Sequence, residues 1–325
     1  MSDIIIGNKI KLYRNLDGHN FNIKTEDEES KKVYEKIADA LNSIGFIEVD
    51  LDNISSLKKL EYVEKGKLNS SFLNNDNKGF FTKDNMPDVI VNSIEHIEIK
   101  EFSRTKSLDE LFEDVYKVES ELEEKLNFSF DPKFGYLNSR VLNTGTGLRP
   151  LVIMHLPALN YFGIDEISTG LMRLGYTLAP YQAGMGKSSG SVFSLSFEST
   201  FGDEEKNYIN KLKLITREIS DIEMENRKKL YLDNIIVLED LVNRSYGTLS
   251  SARILSEDEM MQSMSNIKLG SELSILKTNK KIDFFDEVMK LRNGHLQLER
   301  GAILDIKSRD ILRANKSRAL MREVF

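Results

Sequence analysis

The 325-residue chain contains no cysteine, which excludes disulfides, thiolate metal sites and cysteine nucleophiles together. Histidine is scarce: His19, His96, His155 and His295 are the only four, with no HExxH pair or similar spacing among them. That argues against a catalytic zinc site, and no metal site is expected. With five prolines, the chain has no proline-rich linker to mark a boundary. Long apolar runs are missing as well. None reaches the roughly 18–20 residues of a membrane span, and Met1–Leu12 lacks a signal-peptide core. A reducing, cytoplasmic setting away from membranes is expected. Basic residues are outnumbered, and a net charge of −7 gives no footprint for nucleic acid.

What is present suits an ordinary folded protein, with 40% hydrophobic and 30% charged residues. The length allows one large domain and a smaller one. Val33, Ile37, Ala40 and Leu41 recur at helical spacing, with Gly45 as a stop. The alternating, β-branched run DVIVNSIEHIEI over 88–99 predicts strands, as do RPLVIMHL over 149–156 and SVFSLSF over 191–197. Helices are predicted over 107–126 and 202–230. From about Asp233 onward only helical patterns occur, over 233–245, 256–267, 281–292 and 306–323.

One segment reads Asn143-Thr144-Gly145-Thr146-Gly147-Leu148-Arg149, followed by Met154-His155-Leu156-Pro157-Ala158-Leu159. A lone GTG marks only a turn, but four further segments join it in order. They are SDIIIGNKIKLYRN from Ser2, NSIEHIEI from Asn92, Leu238-Glu239-Asp240 with Arg244-Ser245-Tyr246-Gly247, and Arg309-Asp310-Ile311-Leu312-Arg313-Ala314. Together these resemble the NxGTGLR…HLPAL, SDIVxSSRIRLARN, NEEDHIRI, LEDRVYRSYG and RDxxRA elements of bacterial protein arginine kinases, within the phosphagen-kinase superfamily. The resemblance implies an α+β protein. A catalytic-type domain with an antiparallel sheet flanked by helices would occupy residues 1–231. A small helical domain for dimerisation and phosphoarginine binding would follow over 232–325.

Phosphoryl transfer from ATP to a guanidinium rests on positioning and charge neutralisation. The family binds phosphates with arginines, whose forks match the oxygens bidentately, and holds the acceptor with carboxylates, one of them the base. Several of these groups are replaced here. Lys9 and Lys11 stand for the arginines of SxRIR, keeping charge but losing the fork. Ile94 stands for the base and Ser93 for its acidic neighbour, and Glu98 reverses the charge of another arginine. Ala179 stands for a third arginine, Gly184 for an acidic residue and Arg140 for the cysteine. Arg149 survives, Arg14 matches a family arginine or makes a structural ion pair, and Glu95 is the one carboxylate left near the base position. The run Gly184 to Ser189 is not a phosphate loop, because Tyr181 sits where its first glycine belongs. Each lost charge-stabilising group costs about 10²–10³ in rate.

The expectation is therefore a pseudokinase that regulates or scaffolds, with no cofactor. A residual phosphate site would comprise Lys9, Lys11 and Arg149. The RDxxRA match implies a phosphoarginine pocket, with Arg309 and Arg313 on one helix face and Asp310 accepting guanidinium nitrogens. Its partner would be a second copy, an active arginine kinase or that kinase's activator. Two alternatives stay open: an active kinase using Mg-ATP through a rearranged site, and a purely structural dimeric subunit.

Overall fold

The computed structural model describes residues 4–21, 28–69, 78–181, 190–279 and 283–325. Its centre is an eight-stranded, wholly antiparallel sheet. In chain order the strands are β1 (Ile5–Arg14), β2 (Ile47–Glu48), β3 (Gly79–Thr82), β4 (Asp88–Val91), β5 (Ile97–Ser103), β8 (Leu148–His155), β9 (Tyr176–Pro180) and β10 (Val192–Phe197). In space they run β2-β3-β4-β5-β1-β8-β10-β9. A separate hairpin pairs β6 (Phe130–Asp131) with β7 (Gly135–Tyr136).

Alternation makes the sheet two-faced. On β1, Ile10 and Leu12 enter the main core with Ile97, Ile99 and Val152. Helices α1 (Glu28–Ser43), α3 (Leu108–Glu123) and α6 (Glu205–Asp233) cover that face. Helix α3 forms where its pattern predicts. Ser107 and Glu110 make a reciprocal capping box, and Leu108, Leu111, Val115, Val118 and Leu122 are buried along one side. Helix α1 ends at Ser43, and Gly45 follows with φ of 84°, the left-handed turn a glycine stop supplies.

Among the described residues, the other face is covered at its two ends. Helix α2 (Ser56–Glu64) sits over β3 and β4 through Val63, Phe80 and Ile90. At the opposite end the later helix α8 (Glu257–Glu272) meets His155 of β8 through Ser265. There α4 (Pro157–Phe162) and α5 (Ile164–Arg173) lead into edge strand β9, with Ile164 and Leu171 packed in the main core. Helix α6 stops at Asn234, and helices continue from there: α7 (Ile235–Ser251), α8 (Glu257–Glu272), α9 (Phe284–Lys290), α10 (Asn293–Arg300) and α11 (Ile306–Val324). Within the helix read over 281–292 forms α9, and α10, which follows it, lies beyond that reading. The Asp283 carboxylate caps α9 by accepting from Phe285 and Asp286 N–H, and a second helix, α10, starts at Asn293. Leu249, Met260, Met264, Leu291, Ala314 and Met321 form a separate core among these helices.

Candidate functional site

On the uncovered face, Lys9, Lys11 and Tyr13 stand in a row along β1. Pairing sets Lys11 opposite Lys100 and Tyr13 opposite Glu98 on β5. On β8, Arg149 lies opposite Lys11. Ala179 of β9 pairs Ser194, which pairs Ile153 of β8, and so shares this face. Lys9, Lys11, Glu98, Arg149 and Ala179, scattered over some 170 positions, thus gather on one surface. Gly184, and the 182–189 run to which the phosphate-loop reading applied, lie outside the described residues.

Glu98 is fully buried, and its Oε1 lies 2.9 Å from Lys11 Nζ and 3.9 Å from Lys100 Nζ. Burial alone would raise this carboxyl, but Lys11, Lys100 and Lys9 outweigh it and hold it down at about 2. The negative charge read as facing a nucleotide phosphate is therefore already paired with lysine. Burial also pulls Lys100 down to about 8, with Glu98 opposing, and pushes Lys9 well below its ordinary value, helped by Lys11 and Lys100. Lys11 rises despite its burial, because Tyr13 and Glu98 favour the ammonium. Lys9 Nζ donates to the Gly66 carbonyl at 3.2 Å, and Arg149 donates to the Glu198 carbonyl at 2.8 Å.

The segment 92–96 is a bend between β4 and β5 rather than strand, with Asn92 at φ of 56° turning the chain. Ile94 is half-buried there, and its carbonyl accepts from the Ser139 hydroxyl. Glu95 does not face a cleft. It is buried, and its carboxylate accepts from Asn15 Nδ2 at 2.7 Å and from Ser139 and Arg140 N–H. A carboxylate buried and held by three donors ties two loops together and is turned away from any substrate. His96 accepts from Leu16 N–H at Nδ1 and donates from Nε2 to the Asn20 carbonyl, which fixes a neutral ring that burial favours. Arg14 makes the structural ion pair: it meets Glu119 at 2.9 Å and stacks 3.4 Å from the Tyr136 ring centre.

Between the covered ends of this face lies a cleft of about 740 Å³. Its floor includes Lys9 and Lys100, and its far wall carries Phe285, Met289 and His295 of the C-terminal helices. Two contacts fasten that wall. Arg104 pairs with Asp283 and Asp286 and lies over the Phe285 ring. Glu64 of α2 accepts the N–H groups of Gly294 and His295, capping α10 from another part of the chain.

The RDxxRA residues open α11. Arg313 is wholly buried, donating to the Leu291 and Leu255 carbonyls, to Asn293 Oδ1 and to Asp310 Oδ1. Arg309 and Asp310 are half-exposed above it. The i,i+4 spacing thus places one arginine at the surface and the other in the core, because Arg313 sits where α8, α9 and α11 meet.

Comparison with known proteins now bears on this geometry. Residues 28–228 match the family described as ATP:guanido phosphotransferase, C-terminal catalytic domain. Residues 236–324 match the protein-arginine kinase McsB C-terminal domain. The protein-arginine kinase of Halothermothrix orenii is 31% identical over 319 residues, covering 96% of this chain and 91% of its own. That of Clostridium acetobutylicum is 30% identical over 321 residues, covering 96% and 94%.

The chain belongs to the protein-arginine kinase family.

Its fold is likewise that of phosphagen kinases. The crystal structure of lombricine kinase aligns with a TM-score of 0.59 at 15% identity, covering 68% of this chain and 66% of that one. A duplicated taurocyamine kinase from Schistosoma mansoni, with transition-state-analogue components, aligns at 0.62 and 16%, covering 85% and 47%. At such identities the likeness is one of fold. The family elements did not signal Lys100, Glu64 or Arg104. Lys100 was findable, two residues beyond Glu98 and so on the same strand face. The partners of Glu64 and Arg104 lie 230 and 182 residues away, and nothing local announces them.

Proposed function

We propose that this member of the protein-arginine kinase family is a pseudokinase, a regulatory or scaffolding subunit that does not transfer phosphate. The observation that carries this reading is the buried Glu98–Lys11 pair at 2.9 Å. Where the resemblance calls for a phosphate-binding arginine, a carboxylate instead neutralises the neighbouring cation. The half-buried Ile94 at the base position can neither accept a proton nor pair with a guanidinium, and Glu95 is buried and held by three donors. Phosphoarginine, free or on a protein, is the proposed ligand of the C-terminal helices. Arg309 and Asp310 would meet it first, with Arg313 bracing Asp310 from beneath. The proposed protein partner is a second copy, an active arginine kinase or its activator.

The test is incubation of the purified chain with γ-labelled ATP and an arginine-rich protein. No acid-labile label on arginine is expected. Incorporation that disappears in Arg149→Ala would instead establish the second reading, an active kinase using Lys9, Lys11 and Arg149 with Mg-ATP, which the naming of its 30–31% identical relatives favours. Calorimetric titration with phosphoarginine, repeated on Arg309→Ala, separates the regulator from a purely structural subunit.

A further inference from the structure

The floor of the interdomain cleft carries more positive charge than its surroundings neutralise. Seven lysine and arginine side chains line the cleft against four carboxylates, and Lys9, Lys11 and Lys100 gather around the buried Glu98, with Asp88 across the strands from Lys100. Other cations at the cleft already have carboxylate partners: Lys67 has Asp88, Lys106 has both Glu101 and Asp114, and Arg104 has both Asp283 and Asp286. Lys100 is the least satisfied. Only 3% of its side chain is exposed, its Nζ makes no hydrogen bond, and its nearest carboxylate stands 3.9 Å away. A buried ammonium left so is costly unless a counter-charge arrives. Apolar surface lines the cleft beside it, from Met86, Phe102, Phe285 and Met289, with the Phe102 and Phe285 rings in tilted contact at 6.2 Å.

We propose that this cleft binds a small phosphomonoester dianion, its phosphate taken by Lys100 and Lys9 and its apolar or aromatic body held between the sheet and α9. The proposal deepens the regulatory reading of this face and rests on it in one respect, that the face binds rather than transfers. A cleft of about 740 Å³ is far larger than a bare phosphate needs, so the body contributes contact area. Because one wall belongs to the C-terminal helices, an occupied cleft draws α9 and α10 toward the sheet. Ligand binding and interdomain packing are thereby linked.

The test uses the full chain at low salt and pH 7.5, with phenyl phosphate, inorganic phosphate and ATP as probes. Calorimetry should show phenyl phosphate binding at least about tenfold more tightly than inorganic phosphate. Lys100→Met and, separately, Lys9→Met should each weaken it at least about tenfold, the scale of a lost charge-assisted hydrogen bond. Hydrogen exchange in α9 and α10 should slow on binding. Binding that survives Lys100→Met but fails in Arg149→Ala would place the ligand on the family's phosphate positions and overturn the proposal. So would equal affinity for phenyl and inorganic phosphate, or no binding by phenyl phosphate up to 10 mM. ATP that binds without phenyl phosphate binding overturns it too. The labelled-transfer assay reports on the pseudokinase reading separately, so either can fail alone.

Discussion

At the scale of single residues, the charged face makes two substitutions differ in sign. Lys100 is held at about 8 in the fold, below the ordinary lysine value of 10.5, so the folded state disfavours its charge. The penalty is full below pH 8 and fades between 8 and 10.5, where the unfolded chain still binds the proton. Lys100→Met should therefore stabilise the protein by about 1–3 kcal/mol at pH 7, a gain that shrinks as pH nears 10. Glu98→Gln strips Lys11 and Lys100 of their nearest carboxylate and should cost about 3–5 kcal/mol. Its wild-type carboxyl is depressed from 4.5 to about 2, so that stabilisation is present above pH 4.5 and is lost as pH falls toward 2. Urea melts of both variants across pH check the signs. Equal destabilisation by the two would mean that the cluster is held by geometry and not by its charge excess.

At the scale of elements, the fastening of α10 is the most exposed to change. Its first turn leaves N–H groups unsatisfied, and the Glu64 carboxylate takes those of Gly294, at 2.6 Å, and His295. Glu64→Ala should cost about 1–3 kcal/mol and speed amide exchange in α10 far more than in α3. Gly294→Ala tests the same contact from the other side, since a Cβ there would lie 2.7 Å from Glu64 Oε2. Unchanged exchange in α10 for both variants would show that Arg313, through Leu291 and Asn293, holds the helix alone. This contact also marks where the sequence ceases to be legible. Helices α1 and α3 were readable because their apolar spacing is local, and α11 because Asp305 caps it from the residue before. Helix α10, reading NGHLQLER, is short, has no side-chain cap of its own and is set by a partner on α2. The bend at 92–96 was hidden inside an alternating run because its cause is one backbone reversal at Asn92. The site itself was half legible. The strand motifs indicated Lys9, Lys11, Glu98 and Arg149, but that Glu98 is neutralised by lysine is a fact of strand register, which no spacing encodes.

At the scale of the whole molecule, the sheet and the C-terminal helices share their interior. Ala158 and Leu230 pack with Leu238, Val242 and Leu269 in one apolar cluster that spans the end of α6. Arg227 bridges Glu223 and Glu272 while donating to the His155 carbonyl. His155 itself is buried and meets Ser265 of α8 at 2.8 Å. Gly190, at φ of 51°, lies so close to the Met261 carbonyl that no Cβ fits between them. Parts joined in this way should unfold together, in one transition rather than two. Gly190→Ala should lower that single midpoint without splitting it, and two resolved calorimetric peaks in the wild type would refute the shared interior. The same interface sets an acid limit. Burial, with Lys268 and Arg227 nearby, pushes His155 well below the ordinary 6.5. Below pH 6.5 the unfolded chain takes up a proton that the folded one refuses, so stability falls as pH drops. One such histidine contributes a slope of about 1.4 kcal/mol per pH unit, and His96, also lowered, adds to it. His155→Gln should therefore remove part of the loss between pH 6.5 and 5 while leaving the Glu98-dependent loss below pH 4.5 intact. A variant as acid-sensitive as the wild type over pH 6.5 to 5 would move the linkage away from the sheet–α8 contact and onto His96.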